Sequence, residues 1–382
     1  MFALTVDASA LKNAVAFAAA ACPANPSLPI QRGIHLKMAT HGEQVNVTLT
    51  GYDHMRAVCN TVTIDAHLES GTVDDGQHII IAGATAKAMI TTLPGPVVTL
   101  SLDDGAQKLS IDSESTHFAA PLMTGDWISP ERDGAEYVAV TVDADAWKST
   151  TACAHKASGK DTSIPVLTGA QVVATGSEVT VTSTDRYRLF TGKVDVLSDA
   201  DSVQAEVIVP AKELDDVSKM LCKNQDTATV ELSANGIRIT AGRASTRIGS
   251  LDGDFPRWKQ LIPTDLSQEV TVDGEVLAAA LNRAAVATDK ANVPARLELD
   301  PDAATMKVMF TDDTEFSDTI AADGVCEAMT IGINPNYLKD GIEAVGSAKV
   351  MLGVVSATRP LLVQGEASHH KYLAMPVKLA SA

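Results

Sequence analysis

The sequence predicts an α+β protein made of three similar domains, with antiparallel rather than parallel sheets. Two observations carry this. First, Thr-Val-Asp closes an alternating strand and opens an apolar-periodic segment at Thr5-Val6-Asp7, Thr141-Val142-Asp143 and Thr271-Val272-Asp273. The separations are 136 and 130 residues, each close to a third of the 382-residue chain. Second, each third holds another β-like run that leads into a helical pattern and is followed by strand pairs. Each third therefore reads as two copies of one strand–helix–strands unit, which argues against βαβ alternation.

The elements follow in order. FALTV, YVAVTV and QEVTV alternate apolar and polar residues with the period of a half-buried strand. The helical patterns ASALKNAVAFAAA, ADAWKSTTACAHKA and GEVLAAALNRAAVA come next. Asp7, Asp143 and Asp273 stand at the junctions, where a carboxylate can accept an orphan backbone N–H, so they are expected to cap helices. The second units are HIIIAGATAKAMITTL, EVIVPAKELDDVSKML and MTIGINPNYLKDGIEAV. Their strands close on SIDSESTHFAAPLM, RITAGRASTRIGSL and VQGEASHHKYLAMPV, with turn signals such as Asp103-Asp104-Gly105 and Ala234-Asn235-Gly236. Polar, proline-containing stretches at Ser129–Ala135 and Pro263–Ser267 mark domains at 1–130, 136–263 and 268–382.

Composition narrows the function. Thirty basic and 48 acidic residues give a net charge of −18, which by itself disfavours nonspecific attraction to nucleic acid or anionic membrane. The five cysteines are widely spaced without a CxxC pair, so free thiols in a reducing cytoplasm are expected rather than disulfides or zinc. Cys22 and Cys153, set among alanines, read as buried and inert. No apolar run reaches the length of a membrane span. Ala14 to Cys22 could pass for a leader core, but Asp7 and a single Lys12 precede it, and a buried helix is the expectation.

Charge is unevenly distributed. The segments 7–22, 83–92, 143–160, 210–224, 273–290 and 334–344 hold eleven bases and eleven acids, so the negative excess lies on strands and loops. The bases are Lys12, Lys87, Lys148, Lys156, Lys160, Lys212, Lys219, Lys223, Arg283, Lys290 and Lys339. Several helical acids sit at N-termini, where the macrodipole favours them. Gly83-Ala84-Thr85-Ala86-Lys87 lacks the phosphate-cradle pattern. His369-His370 reads as a solvent-facing pair, and Asp185 has no catalytic partner placed by the sequence. No hydrolase or metal motif occurs, and neither catalysis, cofactor nor metal is expected.

Several stretches converge on one family. Leu28-Pro29-Ile30, Leu49-Thr50-Gly51-Tyr52-Asp53, Ser183 to Leu189 (STDRYRL), Asp252 to Pro256 (DGDFP) and Leu261-Ile262-Pro263 come first. Asn334 to Tyr337, Arg359-Pro360-Leu361-Leu362 and Tyr372 to Leu379 (YLAMPVKL) complete an ordered set. The sequence resembles the bacterial DNA polymerase III β subunit, the sliding clamp, as a divergent member of that family. The resemblance implies a head-to-tail dimeric ring of six domains, with helices lining a channel for duplex DNA. It implies a homodimer that tethers the replicative DNA polymerase and is served by a clamp loader and other clamp-motif proteins. By resemblance the channel bases are Lys12, Lys87, Lys148, Lys156, Lys160, Lys212, Lys219, Arg283 and Lys339. Asn25 stands where a channel arginine is common, and Ile164-Pro165-Val166 replaces a basic and aromatic stretch.

The resemblance also implies an apolar cleft for partner peptides between the second and third domains. Its positions are Leu167, Thr184, Tyr187, Arg188, Leu189, Pro256, Leu261, Tyr337, Leu362, Met375 and Pro376. Arg186 takes a place usually held by glycine, and Ala380-Ser381-Ala382 extends past the usual end. Phe118 and Val286 match dimer-contact positions, with Ala287 smaller than usual there. A second expectation is a clamp-fold peptide binder that is not the main processivity factor.

Overall fold

The computed structural model describes residues 1–41, 44–53, 56–127, 136–198, 204–286, 294–311, 315–325, 327–366 and 368–379. The described elements form six successive units, each one strand, one helix and three strands. The first unit is β1 (Phe2–Asp7), α1 (Ala8–Ala20), β2 (Gly33–His41), β3 (Gln44–Asp53) and β4 (Val58–Gly71). The second is β5 (His78–Ala82), α2 (Gly83–Thr91), β6 (Val97–Leu102), β7 (Lys108–Ser113) and β8 (Thr116–Pro121). The third is β9 (Val138–Asp143), α3 (Ala144–Ala157), β10 (Gly169–Thr175), β11 (Glu178–Thr184) and β12 (Arg188–Asp195). The fourth is β13 (Gln204–Pro210), α4 (Ala211–Leu221), β14 (Thr227–Ser233), β15 (Gly236–Ala241) and β16 (Ala244–Gly249). The fifth is β17 (Gln268–Asp273), α5 (Gly274–Val286), β18 (Ala295–Asp300), β19 (Thr305–Thr311) and β20 (Glu315–Asp323). The sixth is β21 (Met329–Ile333), α6 (Pro335–Val345), β22 (Lys349–Val354), β23 (Leu361–Gly365) and β24 (Lys371–Ala374).

The three aspartates cap as their junction position requires. Asp7, Asp143 and Asp273 each accept from the backbone N–H three residues on, at 2.8, 2.8 and 3.1 Å. Asn334 does the same for α6. A fourth Thr-Val-Asp, Thr72 to Asp74, follows β4 and opens no helix, so the signal is the strand-to-helix context and not the tripeptide. The alanine-rich stretch is α1, with Leu11, Ala14, Val15 and Ala18 buried.

The chain divides into two compact units, residues 1–139 with 221–249, and residues 140–220 with 250–382. In the first, strands run β8-β7-β6-β1-β4-β16-β15-β14, with β3 on β4, β2 on β3 and β5 on β2. Its core packs Phe2, Leu4, Leu11, Ile34, Leu36, Leu49 and Ile81 between α1, α2 and the sheet. In the second, the order is β13-β10-β11-β12-β24-β23-β22-β17-β20-β19-β18-β21. Every ladder in both sheets for which a register is given is antiparallel, as expected for α+β. Tyr372 on β24 is wholly buried against Gly341 of α6, where an added Cβ would come within 2.7 Å of the ring.

Two expectations about extent are corrected. Helix α3 ends at Ala157, because Ser158 N–H turns back to Ala154 O and Gly159 N–H is drawn to Leu167 O at 2.7 Å. Lys160 therefore lies beyond the helix. Helix α4 ends at Leu221 ahead of Asn224, whose φ is +59°, so Lys223 is also off the helix. Lys290 and the domain boundary at 129–135 lie outside the described residues. Among the described residues no helix is long and apolar enough to cross a membrane, and no cluster of His, Cys, Asp and Glu could hold a metal.

Candidate peptide cleft and helix faces

The turn between β11 and β12 is built from the sequence Thr184 to Arg188. Asp185 Oδ1 accepts from the N–H of both Tyr187 and Arg188 at 2.9 Å, an Asx turn. Thr184 Oγ1 donates to Arg188 O at 2.7 Å and accepts from Arg186 N–H at 3.1 Å. The tight turn forces Arg186 to φ +77°, a left-handed conformation uncommon outside glycine and asparagine. Asp185 thus shapes a turn rather than serving as an acid catalyst.

Arg188 then anchors the turn to α6. Its guanidinium reaches Asp185 Oδ2 at 2.9 Å and Asp340 Oδ2 at 2.5 Å, and lies 4.5 Å from the Tyr337 ring centroid. The side chain is only 10% exposed, so its charge is compensated by two carboxylates and a ring face. Burial pushes the Asp340 carboxyl upward, and Arg188 and Lys156 oppose this. Burial also raises the Tyr337 and Tyr372 hydroxyls.

Strand β12 pairs with β24 in the register Arg188↔Ala374, Leu189↔Leu373, Phe190↔Tyr372 and Thr191↔Lys371. Met375 N–H extends this ladder to Tyr187 O at 2.8 Å. Over the ladder opens a mostly apolar cavity of about 190 Å³. It is lined by Thr184, Arg186, Arg188, Leu189, Pro256, Trp258, Leu261, Pro360, Leu373 and Met375. Leu189 and Leu373 of the lining form one buried cluster with Leu362, with Trp258, Ile262, Leu266 and Met351 packed around them.

Six of the expected cleft positions meet here, namely Thr184, Arg188, Leu189, Pro256, Leu261 and Met375. Leu362 supports them from below, and Tyr337 carries Arg188. Leu167 is buried in a 3-10 turn, Tyr187 is 62% exposed, and Pro376 follows Met375 without lining the cavity. Sequence reasoning missed Trp258, Pro360 and Leu373 as lining residues. Trp258 is turned inward by its Nε1–H bond to Gln171 Oε1 at 2.8 Å, a partner 87 residues away that no local pattern could name.

The expected channel bases are mostly engaged. Lys12 donates to Leu93 O at 2.8 Å. Lys148 pairs with Asp145, Lys212 with Asp216 and Lys219 with Asp215, all along their own helices. Lys156 on α3 pairs with Glu343 on α6, and Arg283 on α5 with Asp318 on β20. Burial pulls the Lys156 amine down, but Glu343 and Asp340 outweigh it and hold it above the usual value. Among the described residues Lys87 and Lys339 make no ion pair, and Lys87 is exposed.

Other candidate groups are structural. Burial pushes the Cys22 thiol up to about 12 and Cys153 up to about 11, as inert thiols require. His369 is exposed, but His370 is not the solvent-facing residue its neighbour suggested. Its ring contacts Ala344 O at 2.8 Å and Thr150 Oγ1 at 3.1 Å, and burial lowers its pKa. Phe118 lies on β8, partly buried against the first core. Val286 ends α5 and is 84% exposed, while Ala287 lies outside the described residues.

Six strand–helix–three-strand units, stitched third to third by antiparallel ladders, define the DNA-clamp architecture. Residues 141–257 match the model of the DNA polymerase III beta subunit central domain, and residues 259–378 match that of its C-terminal domain. The chain belongs to the DNA polymerase III β subunit family, the sliding clamps. It is 28% identical to a beta sliding clamp of Streptomyces coelicolor over 99% of each chain. Among solved structures it resembles the Bacillus subtilis sliding clamp, with TM-score 0.86, 22% identity, 99% of this chain and 100% of the other. A Pseudomonas aeruginosa clamp bound to griselimycin gives TM-score 0.86 at 20% identity, again over 99% and 100%.

Proposed function

We propose that this chain is a non-enzymatic, cytoplasmic processivity factor. Two copies, each of three domains (1–130, 136–263 and 268–382), join head to tail around duplex DNA and tether the replicative polymerase. The observation that carries the ring is how the thirds are joined. The last strand of one third's first unit pairs with the last strand of the next third's second unit: β4 with β16, and β12 with β24. The same rule leaves β20 and β8 to pair between copies. Strand β8 ladders only with β7, and Glu315 to Ala321 of β20 only with β19, among the described strands. An unpaired strand edge is a template for another chain. Phe118 on β8 and Val286 beside this edge are the proposed contacts.

The helices support weak, sequence-independent contact with DNA. As built they hold eight bases and seven acids, nearly neutral within a chain of net charge −18. Topology then retains the DNA while salt-sensitive phosphate contacts permit sliding. The cavity over β12 and β24 is the proposed seat for apolar anchors of polymerase, loader and other partner peptides. The pairing of most helical bases with acids favours a second reading, a clamp-fold peptide binder outside the main replication role.

Retention on DNA decides between them. After loading, the ring is expected to persist on nicked circles and to run off linear duplex. Equal loss from both forms, at low and high salt, would refute encirclement and leave the peptide-binding reading.

A further inference from the structure

The cleft has an unusual charge arrangement. Its lining contains two arginines and no acid. Arg188 is already compensated by Asp185 and Asp340. Arg186 is not: it is exposed, and among the described residues no carboxylate lies within 4.0 Å of it. The fully exposed Asp161 is bonded to Ser163 and feels Arg186 only at a distance. Lys259 Nζ, 6.0 Å from the ring centroid of Trp258, lines a neighbouring groove that also holds Glu178 and Glu206, so Arg186 is the cation that this cavity leaves unmatched. Arg186 also holds its place at φ +77°, where glycine would be easier. A strained residue with an unmatched charge at the mouth of an apolar cavity is suited to an anionic group on whatever enters.

We propose that Arg186 makes this cleft selective for peptides that carry a carboxylate beside their apolar anchors. The inference rests on the peptide-cleft reading and names the chemistry of its ligand. The apolar walls hold Leu- or Phe-like side chains, and the Arg186 guanidinium accepts the adjacent Asp or Glu as a charge-assisted pair. Because the pair is exposed, its effect is modest and falls with salt. It sets preference among partners more than total affinity.

The test uses the full-length protein and two fluorescent peptides with acetylated and amidated ends. Both carry the same Leu and Phe anchors; one has a single internal Asp and the other Asn at that place. Wild type should bind the Asp peptide roughly three- to fivefold more tightly at low salt, with the preference lost near 1 M salt. Arg186→Gln should bind both equally, while Arg186→Lys should keep a preference for Asp. Equal binding of both peptides by wild type, or an unchanged preference in Arg186→Gln, overturns the inference and leaves the cleft standing. Failure of wild type to bind either peptide, or binding untouched by Leu189→Ala, overturns the cleft reading and the inference with it.

Discussion

The two ladders that join the thirds are equivalent in the repeat yet carry opposite surfaces. At β4–β16 the register Val58↔Ile248, Cys59↔Arg247 and Thr61↔Ser245 builds a polar cavity of about 320 Å³. Cys59, Thr61, Glu231, Arg238, Thr240, Ser245 and Arg247 line it. Arg247 donates to Tyr137 Oη at 3.0 Å, and Arg238 stacks on the Tyr137 ring at 4.6 Å. At β12–β24 the corresponding surface is the mostly apolar cavity over Leu189 and Leu373. One backbone device therefore serves as plain joint in one place and, in the other, carries the apolar cavity that is the proposed peptide seat. The difference lies in the side chains and in the Pro256–Leu261 segment that covers the second ladder.

The largest expected contrast comes from the cleft floor. Leu189→Ala should destabilise the protein by about 2–5 kcal/mol and, combined with Met375→Ala, abolish binding of an apolar-anchored peptide. Denaturant unfolding and fluorescence anisotropy read the two effects. A somewhat smaller loss is expected at the polar joint. Thr246 Oγ1 donates to Asn60 Oδ1 at 2.9 Å with both residues buried, and Asn60 Nδ2 donates to Phe17 O at 2.8 Å. Thr246→Val strands the Asn60 carbonyl and should cost about 1–3 kcal/mol in the same unfolding assay. Peptide affinity should not change; a loss would erase the distinction between the joints.

Acid should weaken the unit that holds the polar joint. His35 stacks on Trp127 at 5.2 Å and faces His78 at 5.1 Å. Burial, then the charges of His78 and Lys37, lower its pKa from 6.5 to about 4. The folded state therefore binds this proton less readily than the unfolded chain. Its contribution to stability is complete above pH 6.5 and is lost as pH falls through about 4. His35→Gln should flatten that part of the stability profile, and unchanged slopes would reject the assignment. The smallest effect belongs to the rim of the same joint. Arg243 pairs with Asp65 at 2.5 Å in solvent, so Arg243→Ala should shift the melting temperature only slightly and not at all in high salt.

What was legible in the sequence follows from locality. A cap needs one oxygen three residues from an N–H, so Asp7, Asp143 and Asp273 announce their helices. Lys212 and Asp216 pair along one turn, a spacing visible before folding. The cleft was legible only as an ordered set of motifs, and Leu167, Tyr187 and Pro376 show the limit of that reading. Arg186 and Arg188 beside Tyr187, and Met375 beside Pro376, enter the cavity, but side-chain direction depends on turns and on the β12–β24 register. Lys160 and Lys223 failed for a related reason: periodicity does not see the carbonyl of Leu167 or the left-handed Asn224 that end their helices.

The sequence by itself determined the α+β class, the threefold repeat, the helix starts and the absence of an obvious catalytic motif, because these depend on periods and on contacts within a few residues. The tertiary structure alone decided which side chains line the cavity over β12 and β24, adding Trp258, Pro360 and Leu373. It also decided that Arg188 is compensated while Arg186 is not. Those outcomes rest on partners far apart in the chain, such as Asp340 for Arg188 and Gln171 for Trp258, and only folding brings them within bonding distance.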